Sequence, residues 1–254
     1  MSDASRLETV RAALSARGYD VEQTDRGAVA VPTEEADPVG VAGELAVVPA
    51  PTRPVALLEA VASAASRDRT ALFVAHPADA GAVRDVLTDP PGLADAAGGI
   101  RTFYSGPDRL RAGDDGLACC RADEPPVWRE EPADGVTGDG RRFVLYADGD
   151  PVAAFDDLDG LACPSRSAFP YAYRRDEDGR FRVRNLETGR TAGRFGSVGA
   201  MRANAYQPVA APVVPERILD GAYLPEAWAL ATVEDGRCTS PRIRPGTTGA
   251  GTGW

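Results

Sequence analysis

The chain of 254 residues carries 28 basic side chains against 38 acidic ones, a formal charge of -10, and every one of the 28 is arginine. Without lysine, a Walker-type phosphate loop, Schiff-base and pyridoxal chemistry, and the Asp/Glu/Lys core of many nucleases are excluded. A single histidine, His76, removes most conventional acid–base catalysis as well.

Taken in chain order, residues 4–16 set Leu7, Val10 and Leu14 at helical spacing. Ser2 and Asp3 stand ahead of them as caps and Gly18 as a stop, which predicts a first helix. Two short extended runs follow, 20–23 and 28–32, joined through Thr24-Asp25-Arg26-Gly27 as a hairpin, then a third at 44–48. Pro54 opens an alanine-rich helix to Ser66, residues 71–75 read as a buried strand, and Asp79 is placed to cap a helix over 80–87. This order is that of a small α/β layer, with 100–104 as a further strand.

From about Phe143 the texture changes. Asp148-Gly149, Asp159-Gly160, Asp178-Gly179 and Asp235-Gly236 separate apolar or aromatic runs at short intervals, the pattern of successive hairpins. Turn residues accumulate over 130–141, so the sequence predicts an α+β protein. Its expected parts are an N-terminal α/β domain over 1–130, a β-rich, hairpin-containing module with a proline-rich arm over 141–244, and a mobile Gly/Thr/Ala tail over 245–254. No internal repeat of fixed period stands out.

The N-terminal residues Asp3, Arg6, Glu8, Arg11 and Arg17 break any signal-peptide core, and no uncharged apolar run reaches the length of a membrane span. A cytoplasmic protein is expected. Lysine-free, aspartate-heavy composition resembles that of haloarchaeal proteins. The resemblance implies a cytosol at molar salt, where a Debye length of about 3 Å suppresses the self-repulsion of so acidic a chain. The four cysteines, 119, 120, 163 and 238, form no C-x-x-C pair, and the adjacent two point to opposite faces of a strand, so buried free thiols are expected and no metal.

Few motifs carry chemistry. His76 follows a strand and precedes Pro77 and Asp79, the carboxyl end of a strand where open α/β sheets bind ligands, and the pair His76/Asp79 is a minor candidate site. Gly196-Ser197-Val198-Gly199 is out of step with a nucleophile elbow, and Gly249-Ala250-Gly251-Thr252-Gly253 lacks the flanking strand and helix of a dinucleotide fingerprint. The aspartates around 148–159 do not continue a calcium loop, because Val152 and Leu161 fall where oxygen ligands are needed.

The positive feature lies between Arg174 and Arg202, where eight arginines meet four acids. Strand alternation sets Arg180, Arg182 and Arg184 on one face and Phe181 and Val183 on the other, an arginine ladder able to grip phosphates or an acidic partner. Arg174 and Arg190 flank it. The uncharged arm Gln207–Glu216, with Pro212 and Pro215, offers an extended docking strip. No catalytic constellation is assembled. The sequence therefore points to a non-catalytic binding or adaptor protein with a protein partner, without cofactor or membrane, and with nucleic acid disfavoured because molar salt removes most counterion release. The alternative is a divalent-metal hydrolase or nuclease-like enzyme on N-terminal carboxylates such as Glu34, Glu35 and Glu44.

Overall fold

Leucine and valine at helical spacing form α1 (Asp3–Ser15), with the Ser2 hydroxyl accepting the Ser5 N–H as its cap. The computed structural model describes residues 1–37, 43–133, 140–223 and 227–239, and shows an α+β, β-rich fold. The tail at 245–254, most of the turn-rich stretch at 134–139 and the link at 38–42 lie outside the described residues. Contacts divide the chain into two units, residues 1–92 with those from 214 onward, and residues 93–213.

In the first unit α1 is followed by β1 (Tyr19–Thr24), β2 (Gly27–Pro32), β3 (Glu44–Pro49), α2 (Pro54–Ala65), β4 (Arg69–Ala75) and α3 (Ala80–Leu87). Each expected element is present within a few residues. One cap differs: Asp79 precedes α3 but its side chain caps nothing, whereas the His76 ring accepts the Ala78 N–H at 3.2 Å and starts the single turn Pro77–Asp79.

The second unit begins with β5 (Leu93–Ala97), β6 (Ile100–Phe103), β7 (Ser105–Arg109), β8 (Leu117–Arg121) and β9 (Val127–Pro132). It continues with β10 (Arg141–Ala147), β11 (Asp150–Phe155), α4 (Leu158–Ala162), β12 (Tyr171–Arg175), β13 (Phe181–Asn185) and β14 (Thr191–Phe195), and closes with α5 (Val198–Arg202), β15 (Tyr206–Pro208) and β16 (Ala210–Pro212). Two five-stranded sheets result, in the orders β11-β10-β9-β6-β5 and β14-β13-β12-β8-β15. The Asp148-Gly149 and Asp178-Gly179 pairs turn hairpins, as their sequence predicts. Asp159-Gly160 does not: it lies inside α4, because Asp157 two residues earlier accepts the Gly160 N–H at 2.6 Å and starts a helix instead.

The chain then supplies α6 (Pro215–Leu219), β17 (Trp228–Glu234) and β18 (Arg237–Thr239) to the first unit. β17 runs parallel to β4, giving a six-stranded sheet β1-β2-β3-β4-β17-β18. Val10 and Leu14 of α1 bury one face of it with Leu45, Val47, Leu72, Val74, Ala231 and Val233. By contacts, the stretch 130–141 is thus no boundary: β9 and β10 on either side of it pair with each other, and the C-terminal strands belong with the N-terminal ones.

The second unit contains a repeat that the sequence reading missed. Helix α4 after the β10–β11 hairpin and α5 after β13–β14 recur at a constant offset of forty residues: Gly149 and Gly189 in the turns, both at positive φ, then Phe155 and Phe195, Asp157 and Ser197, Leu161 and Met201. Asp157 and Ser197 each cap their helix, the latter accepting the Ala200 N–H at 3.0 Å, and Leu161 and Met201 are the buried helical side chains. Because these five-residue helices depend on one cap each, Asp157→Ala and Ser197→Ala should each cost about 1 kcal/mol, read from urea midpoints. A change under a few tenths for either would mean that packing alone holds the helix.

Candidate functional site

Strand alternation gives the β14-β13-β12-β8-β15 sheet two unlike faces. One is aromatic: Tyr171, Tyr173, Phe181, Val183, Phe195 and Tyr206 close with Cys119 over Met201. The other carries arginine. Arg174 of β12 pairs with Arg182 of β13, which pairs in turn with Arg194 of β14, so three guanidiniums stand side by side across three strands; Arg184 stands opposite Ala172 and Thr191. Like charges directly opposite one another repel unless something compensates them.

Three aspartates compensate part of that charge, Asp178 through a longer contact of 4.0 Å to Arg194. Asp176 receives Arg182 at 3.2 Å, Arg174 at 3.5 Å and Arg194 at 3.7 Å. Asp115 receives Arg166 at 2.6 Å and Arg184 at 2.7 Å, one guanidinium on each oxygen. Those two carboxylates are nearly covered, their side chains 16% and 10% exposed. Five arginines therefore share three carboxylates, a local excess of two positive charges in a chain of net charge -10. Gly116 makes the Asp115 approach feasible: at φ +125°, any Cβ there would sit 2.5 Å from the Tyr173 carbonyl oxygen.

Between these side chains lies a depression of about 330 Å3, lined by Arg174, Arg182 and Arg184, with Asp115, Thr191 and Gly189 at its edge and Ala172 at its floor. Its size is at the lower end of small-ligand sites. Arg184 is held rigidly, its Nε donating to the Gly189 carbonyl at 3.0 Å while Nη1 binds Asp115. Each guanidinium has five N–H donors, and the contacts given above use one or two of them per residue.

The expected ladder is corrected in its membership. Arg182 and Arg184 do share a face, and Arg174 joins them. Arg180 stands before the strand, exposed in the turn with its N–H donated to the Asp178 carboxylate, and Arg190 is exposed in the next turn. Asp115, Arg166, Arg194 and Thr191 were not foreseen. Parity along one strand revealed Arg182 and Arg184; no local signal ties Asp115 to residues some seventy positions later.

The proline-rich arm is not a free docking strip. Pro212 ends β16, which pairs with β7, the Ala210 carbonyl accepts the Trp128 indole N–H at 2.8 Å, and Pro215 is the buried first residue of α6. Its backbone groups are spent within the fold.

Elsewhere the chemistry is structural. Glu44 is paired with Arg69 at 2.8 Å, while Glu34 and Glu35 are exposed in a turn. Among the described residues no three His, Cys, Asp or Glu side chains gather as metal ligands. Nor is any helix of the described residues long and apolar enough to cross a membrane. A wider depression, about 750 Å3, lies between β2, β3 and α2, floored by Val29, Ala46 and Val48, with Arg67 turned back onto Ser63.

Of the cysteines, 119 and 120 are buried as expected, whereas Cys163 is exposed. Burial pushes both buried thiols up, Cys120 to about 11 with the Asp148 carboxylate adding to the effect. A folded pKa above the unfolded value of 9.0 contributes stability that is complete below pH 9 and is lost as pH rises toward about 11. Stability should fall over that window by about 1.4 kcal/mol per pH unit for each such thiol. Urea unfolding at pH 8 to 10 checks this, with Cys120→Ala expected to flatten the slope; parallel slopes for the two proteins would refute it.

No protein-family model matches the chain, and no curated protein or solved structure is significantly similar to it.

Proposed function

We propose that the protein is a non-catalytic binding module that captures a multiply charged oxyanion in the arginine-lined depression on the β12–β14 face. The observation that carries this reading is the sharing of three aspartates by five arginines around one concavity. A purely structural ion-pair network tends toward balanced charge, since unpaired cations placed side by side cost stability. Here the imbalance is concentrated on one face, against the sign of the whole chain.

The repeat supports the same reading. By strand register the first copy carries Val144, Tyr146 and Ala154 where the second has Arg182, Arg184 and Arg194. The ββα scaffold folds with no cation at any of those three places, so the arginines serve something other than the fold. A guanidinium's planar fork, always charged and weakly hydrated, suits oxyanion recognition better than any other cation. A salt-rich cytosol is the setting we propose, where only several converging contacts would hold an anion against screening.

Calorimetric titration with inorganic phosphate tests the reading, at 0.1 M and at 2 M KCl. Wild type should bind, with weaker affinity at the higher salt, and Arg174→Glu/Arg182→Glu should not bind while keeping its melting cooperativity. Binding undiminished by the double substitution would remove the site from this face.

A further inference from the structure

The depression has a chemistry more specific than positive charge. We propose, resting on the anion-binding reading, that its ligand is a small phosphorylated polyol, with the phosphoryl group among Arg174, Arg182 and Arg184 and the hydroxyls toward Asp115 and Thr191.

Three arguments lead there. Guanidiniums from two strands line the depression, and the local excess of two charges matches a dianion with three terminal oxygens rather than a planar carboxylate, which one fork satisfies. An acidic residue then lines a site built for an anion. Asp115 holds Arg184 on Oδ1 and Arg166 on Oδ2, and each carboxylate oxygen has a second lone pair. Such an acceptor repels a bare phosphate but welcomes hydroxyl donors, and Thr191 lines the same depression. Lastly, Ala172 is the lone apolar side chain in the lining, and none of the lining residues is aromatic. A nucleobase or an apolar peptide side chain would find nothing to stack on, whereas a polyol needs only donors and acceptors.

Titration calorimetry at 0.1 M KCl with ribose 5-phosphate, glucose 6-phosphate, the two free sugars, inorganic phosphate and a phosphoserine peptide separates the outcomes. The sugar phosphates should bind at least about tenfold more tightly than inorganic phosphate, the difference expected of two or more added hydrogen bonds, and the free sugars not detectably. Asp115→Asn should bring sugar phosphates down to the affinity of inorganic phosphate without weakening the latter. Thr191→Val gives the same comparison with no ion pair disturbed, should the Asn variant melt early. Sugar phosphates binding no better than inorganic phosphate would overturn the polyol assignment and leave the anion site standing. Tightest binding by the phosphopeptide would overturn it in favour of a modified protein. Absence of binding by every phosphate-bearing probe would overturn both readings together.

Discussion

Replacing Trp128 by alanine should destabilise the β-rich unit by about 3 to 5 kcal/mol from lost packing alone, a large share of the 5 to 15 kcal/mol that holds a typical domain. The indole, 1% exposed near the start of β9, is carried by a strand that lies between β6 and β10, with its ring 5.9 Å from that of Phe155. It also donates to the part-buried Ala210 carbonyl, so truncation removes that hydrogen bond at a further cost of about 1 kcal/mol. Trp128→Phe separates the two effects: it keeps most of the apolar area and should cost only the second amount. Urea unfolding followed by far-ultraviolet circular dichroism reads both. A loss below about 1 kcal/mol for the alanine variant would mean that the sheet collapses onto the vacancy, contrary to the usual partial relaxation of a close-packed core. The same bond explains why the proline-rich arm is ordered, since β16 is tied at once to β7 through its backbone and to β9 through this side chain.

What could be read from the sequence was local. The helix of Leu7, Val10 and Leu14, the buried strand at 71–75, and the Asp-Gly hairpins are each specified within a dozen residues, by periodicity or by turn chemistry. Asp159-Gly160 shows the limit of such signals. The same dipeptide that turns a hairpin at 148–149 becomes the first turn of a helix when an aspartate precedes it at capping distance. The pairing of β17 with β4 had no local mark, because a parallel neighbour separated by an entire unit is chosen by burial rather than by any adjacent residue. The repeat was obscured for a related reason. It preserves a cap, a glycine turn and two buried side chains, but exchanges Asp for Ser and Leu for Met, so a shared geometry survives with few shared letters.

The candidate site was half legible in the same sense. Alternation along β13 is enough to set Arg182 and Arg184 together, yet a concavity needs walls from other strands. Its carboxylates come from the turn before β8 and the turn after β12, and the residue furthest in sequence, Asp115, is the one that distinguishes an anion site from a merely basic face. Arg180 shows the converse error: parity continued on paper past the point where the strand begins.

The repeat also supplies the sharpest test of whether the arginines belong to function or to folding. Arg182→Val/Arg194→Ala gives the second copy the cross-strand pair that the first copy carries at Val144 and Ala154. Neither Asp115 nor Asp176 is orphaned by the change, because Arg166 and Arg184 remain on Asp115 and Arg174 remains on Asp176. Relief of cross-strand repulsion between Arg182 and Arg194 offsets the lost ion pairs, each of which is partly exposed and worth little. The unfolding midpoint should therefore move by less than about 1 kcal/mol. Phosphate affinity should fall at least about tenfold, since the one lining guanidinium removed, Arg182, makes a charge-assisted contact worth about 1.5 kcal/mol or more. The two readouts point apart only if the arginine face exists for a ligand. Should stability collapse while the residual folded protein still binds phosphate, the guanidiniums would be holding β13 and β14 in place, and the depression between them would be a by-product of packing.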